Sequence, residues 1–135
     1  MKREPDQVDE VLSRVTEIAA GGDLVRALEL VEPLQEKMPE DRRVLGVLGG
    51  VLWRQGKLRE ASSCFRKVTV MSPRSELASV GLFHCLWQLG NVEEAKAEAV
   101  RLLSLRESAE YESLLEELGW EFRDGEVLAR SSPHD

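Results

Sequence analysis

Apolar residues recur along most of the chain three or four positions apart, which is the spacing of one face of an α-helix. Residues 24–34 illustrate this spacing, with apolar side chains at positions 24, 27, 28, 31 and 34. No alternation of apolar and polar residues typical of a strand competes with it. The pattern predicts seven helices, over residues 8–20, 24–37, 42–54, 58–71, 76–88, 92–104 and 110–121.

The sequence also repeats itself with a period of 34 residues. At this shift three segments align: AAGGDLVRALELV (19–31), WRQGKLREASSCF (53–65) and WQLGNVEEAKAEA (87–99). A period of about 20–50 residues predicts a stacked array of repeated units. The shared columns hold Gly22, Gly56 and Gly90, then Leu24, Leu58 and Val92, then Ala27, Ala61 and Ala95, with Trp53 over Trp87 and Pro39 over Pro73.

Each shared column has a physical role in a pair of helices. The glycine adopts the left-handed backbone conformation that ends a helix, and the proline stops the second helix of the pair. The alanine is small enough for two helices to approach closely. Asp23 and Asn91 directly follow two of the glycines and are predicted to cap the next helix, whereas the side chain of Lys57 cannot do so.

With this period and these columns, the chain resembles the tetratricopeptide repeat family. In the family register the repeats span residues 8–41, 42–75 and 76–109, and the second repeat fits best. The third repeat departs from the family pattern at Phe83, where a small residue is preferred, and at Glu107, where proline is expected. The resemblance implies an all-α fold, a right-handed superhelical array of antiparallel helix pairs with about seven helices.

The segment after the third repeat has the pattern of a capping helix over residues 110–122. One face is apolar and the other is rich in glutamate, as a terminal helix between the array and water requires. The sequence therefore predicts a single domain over residues 8–122, with a mobile N-terminus over residues 1–7 and a flexible tail over residues 123–135. The apolar stripe consists of Tyr111, Leu114, Leu115 and Leu118.

Composition and charge narrow the class of protein. Hydrophobic residues make up 42% of the chain and charged residues 32%, which predicts a folded domain. No transmembrane run of about 18 apolar residues and no secretory signal is recognisable, and Cys64 and Cys85 have no metal-ligand spacing. We therefore expect a cytoplasmic protein with reduced thiols. The net charge of −7 argues against binding to nucleic acid or to anionic membranes.

The sequence contains no recognisable catalytic or metal-binding motif. There is no glycine-rich phosphate loop and no paired His/Glu motif. His84 and Cys85 are neighbours in the chain, so on a helix their side chains point about 100° apart and do not face one substrate. We predict that the protein is not an enzyme and has no cofactor and no metal.

The resemblance implies that the first helix of each pair lines a concave groove in which a partner segment binds. Trp53 and Trp87 share one column of this face. Two interpretations of these tryptophans stay open, contact with a partner and packing between repeats. The predicted partner-binding residues are Leu12, Thr16, Arg43, Val47, Trp53, Arg54, Val80, His84, Trp87 and Gln88.

Some members of the family bind a C-terminal carboxylate through Lys and Asn on the first helices. Leu12, Thr16, Gly46 and Gly50 hold the corresponding positions here, so this specificity is not expected. With Gly81, the two groove glycines instead predict a roomy floor for a large apolar side chain of the partner.

Charge is unevenly distributed between the repeats. Residues 42–75 carry eight basic residues and one acidic residue, a net +7, whereas the rest of the chain carries ten basic and 24 acidic residues, a net −14. The basic band suits either an acidic partner or pairing with the acidic flanks of the chain itself. Exposed ion pairs of the second kind contribute at most about 1 kcal/mol each.

These observations favour a protein-binding module, namely a scaffold, an adaptor or a dedicated chaperone. Three repeats and a cap on a small acidic chain are also similar to the tetratricopeptide-like chaperones of bacterial secretion systems. One alternative is an immunity or inhibitor protein that blocks a toxin enzyme. A further alternative, an RNA-binding helical repeat, is disfavoured by the net charge. The sequence leaves a homo-oligomer open.

Overall fold

The protein is a stack of helix pairs that ends in a short β-hairpin. The structure is a computed structural model that describes residues 4–130, with side chains described from residue 7 onwards. The predicted all-α array of seven helices is confirmed. The elements are α1 (Glu4–Ala20), α2 (Leu24–Lys37), α3 (Arg42–Arg54), α4 (Leu58–Met71), α5 (Glu76–Gln88), α6 (Val92–Leu103), α7 (Ala109–Glu117), β1 (Trp120–Arg123) and β2 (Glu126–Ala129).

The helices pack on one another in chain order from α1 to α6. In addition, α3 contacts both α1 and α5, so the first helices of the three pairs lie side by side in one layer. The alanine column lies inside the stack, where Ala27, Ala61 and Ala95 are completely buried. The Val, Leu and Phe side chains around them form one continuous core.

The boundaries of the helices have local causes. Gly22, Gly56 and Gly90 have φ values of +95°, +80° and +84°, the left-handed conformation expected at the end of each first helix. Asp23 caps α2 by accepting a hydrogen bond from the backbone N–H of Arg26 at 3.1 Å. Asn91 makes no side-chain cap bond, so the predicted cap of α6 is wrong; two glutamates in its first turn supply the favourable negative charge instead.

A hairpin occupies the C-terminal end of the array. Strands β1 and β2 pair antiparallel, with Trp120 opposite Ala129 and Phe122 opposite Val127. The turn between them is Asp124–Gly125, and both residues have positive φ, as a two-residue hairpin turn requires. Trp120, Phe122 and Val127 pack against the core, so the hairpin covers the last repeat.

The ends of the chain differ from the sequence-based expectation. Residues 4–7, expected to be mobile, belong to α1, and residues 1–3 lie outside the described part. Helix α7 ends at Glu117 and not at residue 122, because Gly119 turns the chain with φ +78° into β1. Of the expected flexible tail, residues 126–129 form β2, and residues 131–135 are not described.

A buried polar network fixes α7 to the third repeat. The Tyr111 hydroxyl donates to the backbone carbonyl of Ser79 at 3.0 Å and lies 2.8 Å from the Ser79 hydroxyl. That hydroxyl donates to Glu98 at 2.5 Å, and Glu98 accepts two hydrogen bonds from Arg101 at 2.9 and 2.7 Å. Burial raises the pKa of the Tyr111 phenol, which therefore stays neutral. The network joins α5, α6 and α7 around one desolvated carboxylate.

Candidate partner-binding groove

The face formed by α1, α3 and α5 contains an open groove with a volume of about 620 Å³. Its long side is a stripe on α3 whose members recur at helical spacing and therefore point the same way. The rest of the lining comes from α1, from α4 and the connection that follows it, and from the beginning of α5. The residues are Thr16, Ala19, Arg42, Arg43, Gly46, Val47, Gly50, Val51, Arg54, Phe65, Val68, Ser72, Ser75, Leu77 and Ala78.

Two glycines on α3 create the space in the groove. A Cβ atom added at Gly46 or at Gly50 would meet no atom within 4 Å, apart from its chain neighbours and the helix backbone itself. Glycine in the middle of a helix costs about 1 kcal/mol relative to alanine. The structure contains no contact that requires glycine at these two positions, which leaves the open volume itself as their physical effect.

Gly81 has a different role from the one predicted. A Cβ atom at Gly81 would lie 2.8 Å from the ring of Phe65, and one at Gly49 would lie 3.0 Å from the same ring. The aromatic ring of α4 therefore fits between the backbones of α3 and α5. Gly81 does not leave the floor roomy; it admits the Phe65 ring that forms the floor.

The charged groups of the groove are all positive. The lining includes three arginines and no acidic residue, although the chain carries a net charge of −7. Arg43 is neutralised locally, because its guanidinium donates to Asp9 at 3.0 Å and to Asp41 at 2.7 Å. The Arg43 hydrogen bond also holds the pKa of the Asp41 carboxyl below its usual value.

The other two arginines have no carboxylate partner among the side chains that the structure describes, those of residues 7–130. Arg42 donates to the Ser72 hydroxyl at 3.0 Å, and Arg54 makes no hydrogen bond or ion pair with the residues that the structure describes. Arg42 lies at the first residue of α3 and Arg54 at its last. The groove thus has an uncompensated positive charge near each end and an apolar middle.

An aromatic cluster lies beyond Arg54 at the end of α3. The Trp53 ring contacts the His84 ring with centroids 5.7 Å apart, and the Trp53 indole N–H donates to the Gln88 side chain at 2.9 Å. Trp87 lies against Trp120 of the hairpin at 5.1 Å and against Phe83 at 6.4 Å. The two tryptophans of the shared column thus contact different rings, and Trp87 packs against the hairpin.

The ten predicted partner-binding residues divide into three sets. Four line the groove, namely Thr16, Arg43, Val47 and Arg54. Four belong to the aromatic cluster, namely Trp53, His84, Trp87 and Gln88. Leu12 and Val80 are each 6% exposed and pack in the core, because apolar side chains on the inner edge of a first helix turn toward the neighbouring helix.

Sequence reasoning missed the contribution of α4 and of the connection that follows it. Phe65, Val68, Ser72 and Ser75 reach the groove from that side. The position of the Phe65 ring becomes clear only from Gly49 on α3 and Gly81 on α5, which lie on either side of it. Arg42 belongs to the basic band of residues 42–75, so a positive charge in this region was predictable from the sequence.

The uneven charge has two outcomes in the structure. Some basic residues of the second repeat pair with the acidic flanks, as Arg43 does with Asp9 at 3.0 Å and Arg66 with Glu94 at 3.7 Å. Arg54 instead has no partner among the described side chains and lies at the groove. Internal pairing and a positive groove therefore coexist.

The described residues offer little for catalysis or metal binding. The side chains of residues 7–130 include no cluster of three or more His, Cys, Asp or Glu able to hold a metal ion. Cys64 and Cys85 are buried, and burial raises the pKa of both thiols, that of Cys85 to about 11, so the unreactive thiol form dominates. Each of the helices described is too short or too polar for a transmembrane span.

Comparison with known proteins places the array in a family. Residues 52–118 match the family model described as Tetratricopeptide repeat. No curated protein matches the sequence. Among solved structures, the chain is similar to the type III secretion translocator chaperone SycD of Yersinia enterocolitica, with a TM-score of 0.71 and 19% identity over 84% of this chain and 86% of that chain. That chaperone is also solved in complex with a peptide of the translocator YopD, with a TM-score of 0.71.

Two further solved structures have the same fold. The Sgt2 TPR domain of Aspergillus fumigatus has a TM-score of 0.69 and 17% identity, over 82% of this chain and 76% of that chain. A mutant O-GlcNAc transferase of Thermobaculum terrenum has a TM-score of 0.74 and 20% identity, over 88% of this chain but 23% of that chain. The similarity to the transferase thus covers a minor part of that protein.

Proposed function

Since the chain belongs to the tetratricopeptide repeat family, we propose that it is a protein-interaction module that holds one segment of a partner protein in the groove between α1, α3 and α5. The observation that carries this proposal is the open apolar volume over Gly46 and Gly50. A volume of about 620 Å³ is in the range of pockets that bury most of a small ligand. It therefore suits a short piece of polypeptide and not a large folded surface.

The form of the groove favours binding of a segment over other roles. Its floor is built from Val47, Val51, Phe65 and Val68, so it can remove apolar side chains of a partner from water at about 25 cal/mol per Å². Arg54, which has no partner among the described side chains, lies at the margin of the groove. It would orient the bound segment more than it would increase the affinity. The peptide complex of SycD, which has the same fold, supports a dedicated chaperone among the roles of scaffold, adaptor and chaperone.

The proposal includes no catalytic step, no cofactor and no metal. The buried thiols with raised pKa values provide no nucleophile, and the groove lining contains no general base. We place the protein in the cytoplasm, where its two free cysteines stay reduced.

A second candidate function uses a surface outside the groove. Glu112 and Glu117 on α7 are exposed, and such an acidic face suits a basic target enzyme. This is the immunity or inhibitor role. It predicts that binding does not depend on the groove, so the experiment below separates the two functions.

Filling the groove tests the proposal. Gly50→Phe is expected to keep the fold, because its Cβ meets open space, and to weaken binding of the partner at least tenfold by occupying the apolar middle. Gly50→Ala is the matched control and should stay folded with a free energy of unfolding higher by up to about 1 kcal/mol. The measurement is affinity capture with quantitative mass spectrometry, followed by calorimetric titration of the protein that the parent and Gly50→Ala retain. Equal capture by folded Gly50→Phe contradicts the proposal and favours the acidic face.

A further inference from the structure

We propose that the groove selects an extended segment that carries two carboxylates about five residues apart with a large apolar side chain between them. The inference rests on the proposed function, since it names the chemistry of the segment that the groove would hold. It is carried by the positions of the two arginines that have no carboxylate partner and by the apolar volume that separates them.

Charge complementarity identifies the two ends of the segment. Arg43 already has Asp9 and Asp41 as partners, so an additional carboxylate gains little from it. Arg42 contacts a neutral hydroxyl, and Arg54 contacts no charged side chain of residues 7–130. No acidic side chain lines the groove to compete for either guanidinium. A carboxylate from the partner is therefore the complementary group at both ends.

The geometry of α3 sets the spacing of the carboxylates. Arg42 and Arg54 bound a helix of 13 residues, and twelve steps of 1.5 Å separate their Cα atoms by about 18 Å along the axis. An extended chain advances about 3.3 Å per residue, so it covers this distance in about five residues. A helical partner needs about twelve residues for the same distance.

The distance between the two arginines favours the extended form. A short segment of about five residues covers about 18 Å only when it is extended, because a helix needs about twelve residues for the same distance. An extended segment needs a narrower channel and places alternate side chains on the floor. The open space over Gly46 and Gly50, midway between the arginines, is where the apolar side chain fits.

Three synthetic peptides, two of them with the same composition, test the spacing. The probe is acetyl-Glu-Ser-Phe-Leu-Ser-Glu-amide with a fluorescent label, and the isomer Ser-Glu-Phe-Leu-Glu-Ser brings the carboxylates to a spacing of three. A third peptide has glutamine at both glutamate positions. By fluorescence anisotropy at low salt, we expect the first peptide to bind about three- to tenfold more tightly than either of the others.

Charge reversal on the protein identifies the contacts. Arg54→Glu should abolish the preference for the first peptide and restore binding to Lys-Ser-Phe-Leu-Ser-Glu, in which one terminal charge is reversed. Arg59→Glu is the matched control: it makes the same change on exposed α4 in the same repeat, outside the groove, and should leave the preference intact.

The outcomes separate this inference from the proposed function. Equal binding of the glutamate and glutamine peptides, or no measurable binding of the first peptide at millimolar concentration, overturns the inference. If Gly50→Phe still abolishes capture of the partner in that case, the groove function stands. If Gly50→Phe instead converts a dimer of the chain to a monomer in analytical ultracentrifugation, the occupant is a second copy and the inference is overturned.

Discussion

Phe65→Ala is expected to lower the free energy of unfolding by about 3–5 kcal/mol. The ring is 5% exposed and fills the space between Gly49 on α3 and Gly81 on α5. No side chain on either glycine can move in to replace it, so the cavity stays close to the full volume of the ring. Urea denaturation followed by circular dichroism measures this loss.

The same contact predicts that Gly81→Ala destabilises the parent protein but stabilises the Phe65→Ala variant. In the parent protein, Gly81→Ala places a methyl group 2.8 Å from the Phe65 ring and should cost about 1–3 kcal/mol. In the Phe65→Ala background this steric clash is absent. The same substitution should then raise the free energy of unfolding by up to about 1 kcal/mol, because alanine favours a helix more than glycine does. Gly46→Ala, which meets open space, should stabilise equally in both backgrounds. If Gly81→Ala changed the free energy of unfolding in the same direction in both backgrounds, the contact between Gly81 and the Phe65 ring would be refuted.

Phe65 is also part of the floor of the groove that we propose binds the partner. The two glycines that admit its ring let α3 and α5 approach α4 closely, and the groove above the ring stays open over Gly50. Two kinds of glycine therefore build the site: Gly49 and Gly81 admit the floor, and Gly46 and Gly50 leave the space above it.

Tyr111→Ala is also expected to lower the free energy of unfolding by about 3–5 kcal/mol. Its side chain is completely buried, its ring meets Phe83 edge-on at 5.7 Å, and its hydroxyl joins the network of Ser79 and Glu98. The loss of the ring removes the packing that fixes α7, and Ser79 loses its phenol partner. Urea denaturation monitored by tryptophan fluorescence reports it, because Trp120 lies in the hairpin that follows α7.

Tyr111→Phe separates the hydrogen bonds from the packing. This substitution keeps the ring and removes only the hydroxyl, so the free energy of unfolding should fall by about 1–3 kcal/mol. If Tyr111→Phe cost as much as Tyr111→Ala, the polar network and not the ring would fix the cap. No loss in either variant would show that α7 does not pack on the third repeat.

The sequence predicted the helices well because their signals are local. The 3.6-residue period, the glycine that ends each first helix and the buried alanine column all act within one repeat, and the structure has each of them. The hairpin was missed although its turn, Asp124–Gly125 between short runs of alternating residues, is a recognised hairpin signal. Four-residue strands are too short for periodicity alone to identify them.

The groove was predictable in outline but not in detail. The repeat register places Val47 and Arg54 on the concave side, and both line the groove. Whether a residue on the inner edge is open or buried depends on neighbours that are distant in sequence. Gly81 faces a ring 16 positions earlier, and Trp87 is covered by Trp120 of a hairpin that no repeat column contains.

Site-specific photo-cross-linking tests most directly whether a partner segment lies in the groove. A benzophenone amino acid at Val47, on the α3 stripe, is compared with the same amino acid at Val25, which is 65% exposed on α2 outside the groove. After irradiation with the captured partner, mass spectrometry identifies the linked peptides. We predict that the probe at Val47 links to one short segment of the partner and that the probe at Val25 links to none. Cross-links from Val25 and none from Val47 would contradict the account.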